Sequence, residues 1–96
     1  MTGETTLSPD SVPRLPRGVR IRYDKTREEW ILLGPERVLK LDAIALEILK
    51  RCDGSASVKI IIEDLGKAFE ADYSVIAKDV NAFLLDLKER SMVEIK

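Results

Sequence analysis

The chain has 96 residues, 45% of them hydrophobic and 34% charged, with a net charge of −1, one cysteine and no histidine. That length supports one domain. The missing histidine removes the commonest general base and metal ligand, and a lone Cys52 excludes an internal disulfide or a CxxC pair. No apolar run approaches the roughly 20 residues that span a bilayer. The opening Met1-Thr2-Gly3-Glu4-Thr5-Thr6 lacks the basic and apolar regions of a signal peptide, so a cytoplasmic protein without a membrane partner is expected.

Residues 1–12 are Thr/Ser-rich, contain Pro9 and show no apolar period; they read as a disordered tail preceding a single domain over residues 13–96. Pro13 and Pro16 favour an extended approach, and Gly18 frees the chain to turn. From Val19 to Asp24 apolar and polar residues alternate, with Val19, Ile21 and Tyr23 on one side and Arg20, Arg22 and Asp24 on the other. This period of two marks a half-buried strand. Lys25-Thr26-Arg27-Glu28 makes a hairpin loop. A second strand, from Glu29 to Gly34, is apolar on both faces, as expected for a central strand with both faces at least partly covered. Gly34-Pro35 supplies the next turn. A third strand follows over Arg37-Val38-Leu39-Lys40-Leu41, again alternating.

The periodicity then changes to that of helices. Asp42 caps a first helix that packs Ile44, Ile48 and Leu49 inward and ends at Cys52-Asp53-Gly54. Ser57 caps a second, with Val58, Ile61, Ile62, Leu65 and Phe69 as its buried stripe. Ser74 is expected to cap the longest helix, which runs to about Arg90 and buries Ile76, Val80, Phe83, Leu84 and Leu87. Met92-Val93-Glu94-Ile95 returns as a short edge strand. The fold class is α+β: a three-stranded antiparallel sheet followed by a three-helix bundle resembling a winged helix-turn-helix.

Charge divides along the same boundary. Residues 13–40 carry a local net charge of +4, and residues 41–96 one of −3. A basic sheet half draws an acidic ligand towards the strands. Three routes to chemistry fail on inspection. Neighbouring carboxylates such as Glu28-Glu29 and Glu63-Asp64 have the spacing of solvated surface. Cys52 has no histidine to serve as its base, and the glycines at 3, 18, 34, 54 and 66 are too scattered for a phosphate loop. No catalytic residue, metal or cofactor is expected. A winged-helix DNA regulator is the alternative, but it needs a basic third helix, and here Lys78, Lys88 and Arg90 are balanced by Asp79, Asp86 and Glu89. A structural oligomerisation module, exchanging strands through an exposed sheet edge, is a further alternative. The third helix also has a secondary apolar line, Val75, Ala82 and Leu85, off its main buried face. It suggests a groove beside a sheet edge that a peptide can enter by adding a strand.

The string from Pro13 to Asp24, then Arg27, Trp30, Ile31-Leu32-Leu33-Gly34-Pro35-Glu36 and Cys52-Asp53-Gly54, resembles the pyrroloquinoline quinone (PQQ) biosynthesis protein D (PqqD) family. Leu41, Ile48-Leu49, Val58, Asp79-Val80 and Phe83-Leu84 continue the match. Two departures stand out: Ser91 stands where the family often has glycine, and Asp72-Tyr73-Ser74 replaces a more usual proline-containing helix start. The resemblance implies a non-catalytic peptide chaperone that recognises the precursor peptide PqqA, which carries the Glu and Tyr that become the cofactor. It implies presentation of that peptide to PqqE, a radical S-adenosylmethionine enzyme. A monomer in solution is expected, with a strand-exchanged dimer as the alternative, and the neutral third helix argues against nucleic acid as a partner. Carried onto this chain, the peptide adds as a strand beside Arg37, Val38, Leu39, Lys40 and Leu41. On the third helix it meets the band around Val75, Lys78, Asp79, Ala82, Phe83 and Asp86. Arg37 or Lys40 is expected to meet an acidic side chain of the guest.

Overall fold

The computed structural model describes residues 7–96. Its elements follow in the order β1 (Pro13–Arg14), β2 (Arg20–Asp24), β3 (Glu29–Leu33), β4 (Val38–Leu41), α1 (Ala43–Lys50), α2 (Val58–Ala68), α3 (Tyr73–Glu89) and β5 (Glu94–Ile95). β2, β3 and β4 form an antiparallel meander, and β1 pairs with β5 in a separate two-stranded ribbon. The α+β architecture is that of a small sheet followed by three helices.

Register fixes which side chains face the helices. Ile21 pairs with Leu32 and Leu32 with Leu39, while Trp30 pairs with Tyr23 and Leu41. Ile21, Leu32, Leu39 and Leu41 belong to the core or pack against it, and α1 lies against β2 and β4. The opposite face of the sheet carries Ile31, Leu33 and Val38, none of which joins that core. β3 is therefore apolar on both faces while the helices cover one of them.

Side-chain caps start the first two helices. The Asp42 carboxylate accepts from the Ala45 N–H at 2.8 Å, and the Ser57 hydroxyl accepts from the Ile60 N–H at 3.3 Å, satisfying amides that a first turn leaves free. α3 differs from expectation. Its N-cap is Asp72, which makes no side-chain capping bond, and Ser74 already lies within the first turn. The helix begins two residues early because Asp72 has the extended backbone that a cap position requires.

α2 and α3 both end in a left-handed residue. Glu70 (φ 49°) and Ser91 (φ 61°) let the next amides reach back: Ala71 donates to Gly66, and Met92 to Leu87 at 2.9 Å. A position that demands positive φ explains why glycine suits the place of Ser91. α1 stops instead at Arg51, and Gly54 (φ 85°) serves a tertiary contact, donating to the Pro13 carbonyl at 3.2 Å.

The expected tail divides. Residues 1–6 lie outside the described residues, and residues 7–12 are docked. Val58 donates to Ser11 and Lys59 to Pro9, and Val12 and Lys96 exchange main-chain bonds at 2.7 and 3.1 Å. The Leu7 N–H reaches the side-chain oxygen of Asn81 at 2.6 Å, and the Asn81 amide nitrogen donates to the Ala77 carbonyl at 2.7 Å. Asn81 is 7% exposed, a polar side chain kept inside by having both ends bonded.

Candidate peptide-binding cleft

The β4 edge follows from the hairpin that precedes it. Gly34 donates its N–H to the Arg37 carbonyl at 2.8 Å, so Gly34 and Arg37 form a hydrogen-bonded pair. Pairs alternate along an antiparallel ladder between bonded and non-bonded. The main-chain groups of Leu39 and Leu41 therefore turn towards β3, and those of Val38 and Lys40 turn outward. Among the described residues β4 pairs with β3 alone, which leaves that outward row without a strand partner.

Beside this edge lies a cleft of about 500 Å³, bounded by the end of β4, α1 and α3. Its lining comprises Lys40, Asp42, Ile44, Ala45, Ile48, Asp79, Ala82, Phe83 and Asp86. Asp79, Ala82, Phe83 and Asp86 stand at helical spacings of three or four, so they share one stripe of α3. The other stripe, Ile76, Val80, Leu84 and Leu87, is almost fully buried.

Of the eleven residues singled out from the sequence, five therefore meet in the cleft: Lys40, Asp79, Ala82, Phe83 and Asp86. Val38 is 62% exposed on the edge itself, and Leu39 is half-buried against the core. Leu41 is 6% exposed and serves as core. Val75 and Lys78 continue the α3 stripe towards its N-terminus, both exposed and outside the cleft lining. Arg37 lines a different hollow, of about 350 Å³, with Pro35, Glu36, Arg90, Ser91 and Met92. Phe83 was assigned to the core by periodicity; it is half-buried and divides itself between core and cleft.

The floor supplied by α1 escaped the sequence reading. Ile44, Ala45 and Ile48 look like ordinary core positions in a helix pattern. The available signal was Asp42: a cap directly after β4 forces the first turn of α1 to lie beside the end of that strand.

The electrostatics of the cleft differ from the basic expectation. Asp42, Asp79 and Asp86 line it against one cation, Lys40, and Lys40 also reaches Glu29 of β3 at 3.5 Å. Asp86 is engaged by Arg90 at 3.2 Å, and Asp42 by its capping bond. Asp79 makes no ion pair among the described residues. The positive charge of the sheet half is thus displayed away from the cleft wall.

The arrangement offers little for bond-making chemistry. Burial pushes the Cys52 thiol up to about 12, and its Sγ donates to the Ile48 carbonyl at 3.3 Å, which favours the neutral thiol of a buried core residue. Among the described residues no group of three or more His, Cys, Asp or Glu is placed to hold a metal ion. Nor is any helix of the described residues long and apolar enough to cross a membrane. A free strand edge beside an apolar-floored cleft is suited to holding an extended peptide.

Comparison with known proteins identifies the family. Residues 29–93 match the family model described as Coenzyme PQQ synthesis protein D (PqqD). The chain is 47% identical over 88 residues to a "PqqA binding protein" of Rhodopseudomonas palustris (strain BisB5), covering 92% of this chain and 86% of that one. A "PqqA binding protein" of Xanthomonas campestris pv. campestris (strain B100) is 41% identical over 91 residues, covering 95% and 99%. In structure the chain is similar to the PqqD truncation of Methylobacterium extorquens PqqCD, solved by NMR and described as a functional, stand-alone RiPP recognition element. The TM-score is 0.79 at 41% identity, over 94% of this chain and 96% of that one. The crystal structure of PqqD from Xanthomonas campestris gives a TM-score of 0.57 at 42% identity, over 91% and 97%. By sequence and by structure, this chain belongs to the coenzyme PQQ synthesis protein D (PqqD) family.

Proposed function

We propose that this protein is a non-catalytic peptide chaperone of pyrroloquinoline quinone biosynthesis. It binds the precursor peptide PqqA by adding a strand to β4 and presents it to the radical S-adenosylmethionine enzyme PqqE. The observation that carries the reading is the outward main-chain row of Val38 and Lys40 beside the cleft between β4, α1 and α3. The relatives described as PqqA binding proteins support the identity of the guest.

In this reading the peptide's own main chain pairs with Val38 and Lys40. Every second guest side chain then points to the same side and rests on Ile44, Ile48, Ala82 and Phe83. Leu39 and Leu41 anchor β4 from behind, Val75 and Lys78 extend the helical wall, and Arg37 stands at the hairpin end of the edge. Main-chain pairing gives affinity with modest demands on guest sequence, and a net worth of about 1 kcal/mol per bond keeps release to an enzyme accessible. The protein acts as a cytoplasmic monomer and needs no cofactor of its own.

An amide chemical-shift map of the labelled protein with unlabelled PqqA tests this. Changes cluster on residues 36–41, on the first turn of α1 and on the stripe of α3 that faces the cleft. Changes confined to residues 7–12, or their absence, reject the reading.

A further inference from the structure

Two hollows lie end to end along β4 and α3. Lys40 of the strand and Asp86 of the helix line the peptide cleft, while Arg37 and Arg90 line the smaller hollow beside the turn between β3 and β4. Arg37 directly precedes β4, and Arg90 stands one helical turn beyond Asp86, so the same two walls run from one hollow into the next. The Asp86 carboxylate accepts from the Arg90 Nε at 3.2 Å and joins them at the boundary. Met92 closes the floor of the smaller hollow. It is 1% exposed, and a side-chain carbon placed at Gly34 would meet its Cε at 3.1 Å, so the turn sits directly on it.

Charge reverses between the two. The cleft sets Asp42, Asp79 and Asp86 against Lys40, whereas the hollow sets Arg37 and Arg90 against Glu36. Arg37 is exposed, and neither it nor Glu36 makes an ion pair among the described residues. By alternation Arg37 shares the helix side of the strand with Leu39 and Leu41. Arg90 uses one of its five N–H donors on Asp86.

We propose that this hollow is a carboxylate subsite of the peptide groove, in which Arg37 and Arg90 together hold an acidic side chain of the guest and so set its register on β4. The inference rests on the chaperone reading, since the guest is the peptide that pairs with Val38 and Lys40. Main-chain pairing alone leaves register open: a guest shifted by two residues makes the same kind of bonds and presents the same side. A charged subsite at one end removes that degeneracy. A guest carboxylate displaced towards α1 meets three aspartates, whereas one at the hairpin end meets two guanidiniums, whose planar forks match it in bidentate fashion. Lys40 serves less well, because Glu29 engages it at 3.5 Å and the cleft around it is acidic.

The test is calorimetric titration of the full chain with synthetic PqqA, unaltered and with each acidic residue in turn replaced by lysine. Arg37→Glu is expected to weaken unaltered PqqA about fivefold or more at low salt, and by less as salt is added. One lysine-substituted peptide recovers that loss against Arg37→Glu, the coupling that marks a direct pair. Arg37→Lys retains most of the affinity. Arg20→Glu, the same charge change on the opposite face of the sheet, leaves it within about twofold. Unchanged affinity of Arg37→Glu overturns the proposal, as does the absence of coupling to any peptide position. An equal loss in Arg20→Glu also overturns it, since the overall field of the protein would then be the cause. Amide exchange at Val38 and Lys40 with saturating peptide separates the two readings. Protection that persists without coupling strikes out the subsite alone, and protection missing from the unaltered protein strikes out the chaperone reading with it.

Discussion

The two long faces of α3 divide the labour of this small domain. One face is Ile76, Val80, Leu84 and Leu87, at most 2% exposed and closed into the hydrophobic core, with α2 as the main neighbour of α3. The adjoining face is Asp79, Ala82, Phe83 and Asp86, which borders a cleft rather than a packed neighbour. One helix thus supplies core on one side and wall on the other. The difference teaches that low exposure and apolarity identify what holds the fold, whereas the proposed binding surface is a mixed stripe beside unused main-chain groups.

The comparison can be broken most severely from the closed face. Leu84→Ala leaves a cavity where nothing collapses easily, and should lower unfolding free energy by about 2–5 kcal/mol in urea titrations. The open face answers differently. Ala82→Trp places a large ring in the cleft from an exposed position, so PqqA affinity measured by calorimetry should fall about tenfold or more. Its urea midpoint should stay near that of the unaltered protein.

A subtler break exploits the alternation of β4. Val38→Pro deletes an outward amide and should weaken PqqA by about fivefold, equivalent to about 1 kcal/mol, in a protein that still folds. Leu39→Pro removes an amide that turns towards β3 and should disrupt the sheet itself, as circular dichroism would show. The mildest change sharpens the comparison by touching neither face. Ser91→Gly relieves the left-handed backbone at the end of α3 and should add about 0.5–1 kcal/mol to stability, with PqqA affinity unaltered.

Much of this architecture was legible in the sequence because it is governed by local rules. Alternation over Val19–Asp24 and Arg37–Leu41 marked strands, and Asp42 and Ser57 marked helix starts, since each satisfies amides within its own first turn. Asp72 was missed because Ser74, two residues on, is an equally good cap type and composition does not choose between them. Gly54 resembled a helix terminator, yet its positive φ serves a bond to Pro13, a contact no local pattern encodes. Asn81 bonds within α3 through its amide nitrogen to Ala77, but the partner of its oxygen, the Leu7 N–H, comes from a return of the chain that no local pattern encodes.

The candidate site was half legible. The strand edge and the α3 stripe follow from periodicity joined to the family resemblance. The α1 floor does not, because Ile44 and Ile48 satisfy a core pattern equally well and only tertiary placement opens them to the cleft. The charge expectation failed for a similar reason. Summing charges over a segment ignores which side of a sheet bears them, and Arg20 and Arg22 project from the outer face.

Strand addition at β4 is tested most directly by amide hydrogen exchange with and without PqqA. Leu39 and Leu41 are already paired with β3, so their exchange changes little on binding, whereas Val38 and Lys40 should gain protection together. Unchanged exchange at Val38 and Lys40 in the presence of saturating peptide would contradict the account.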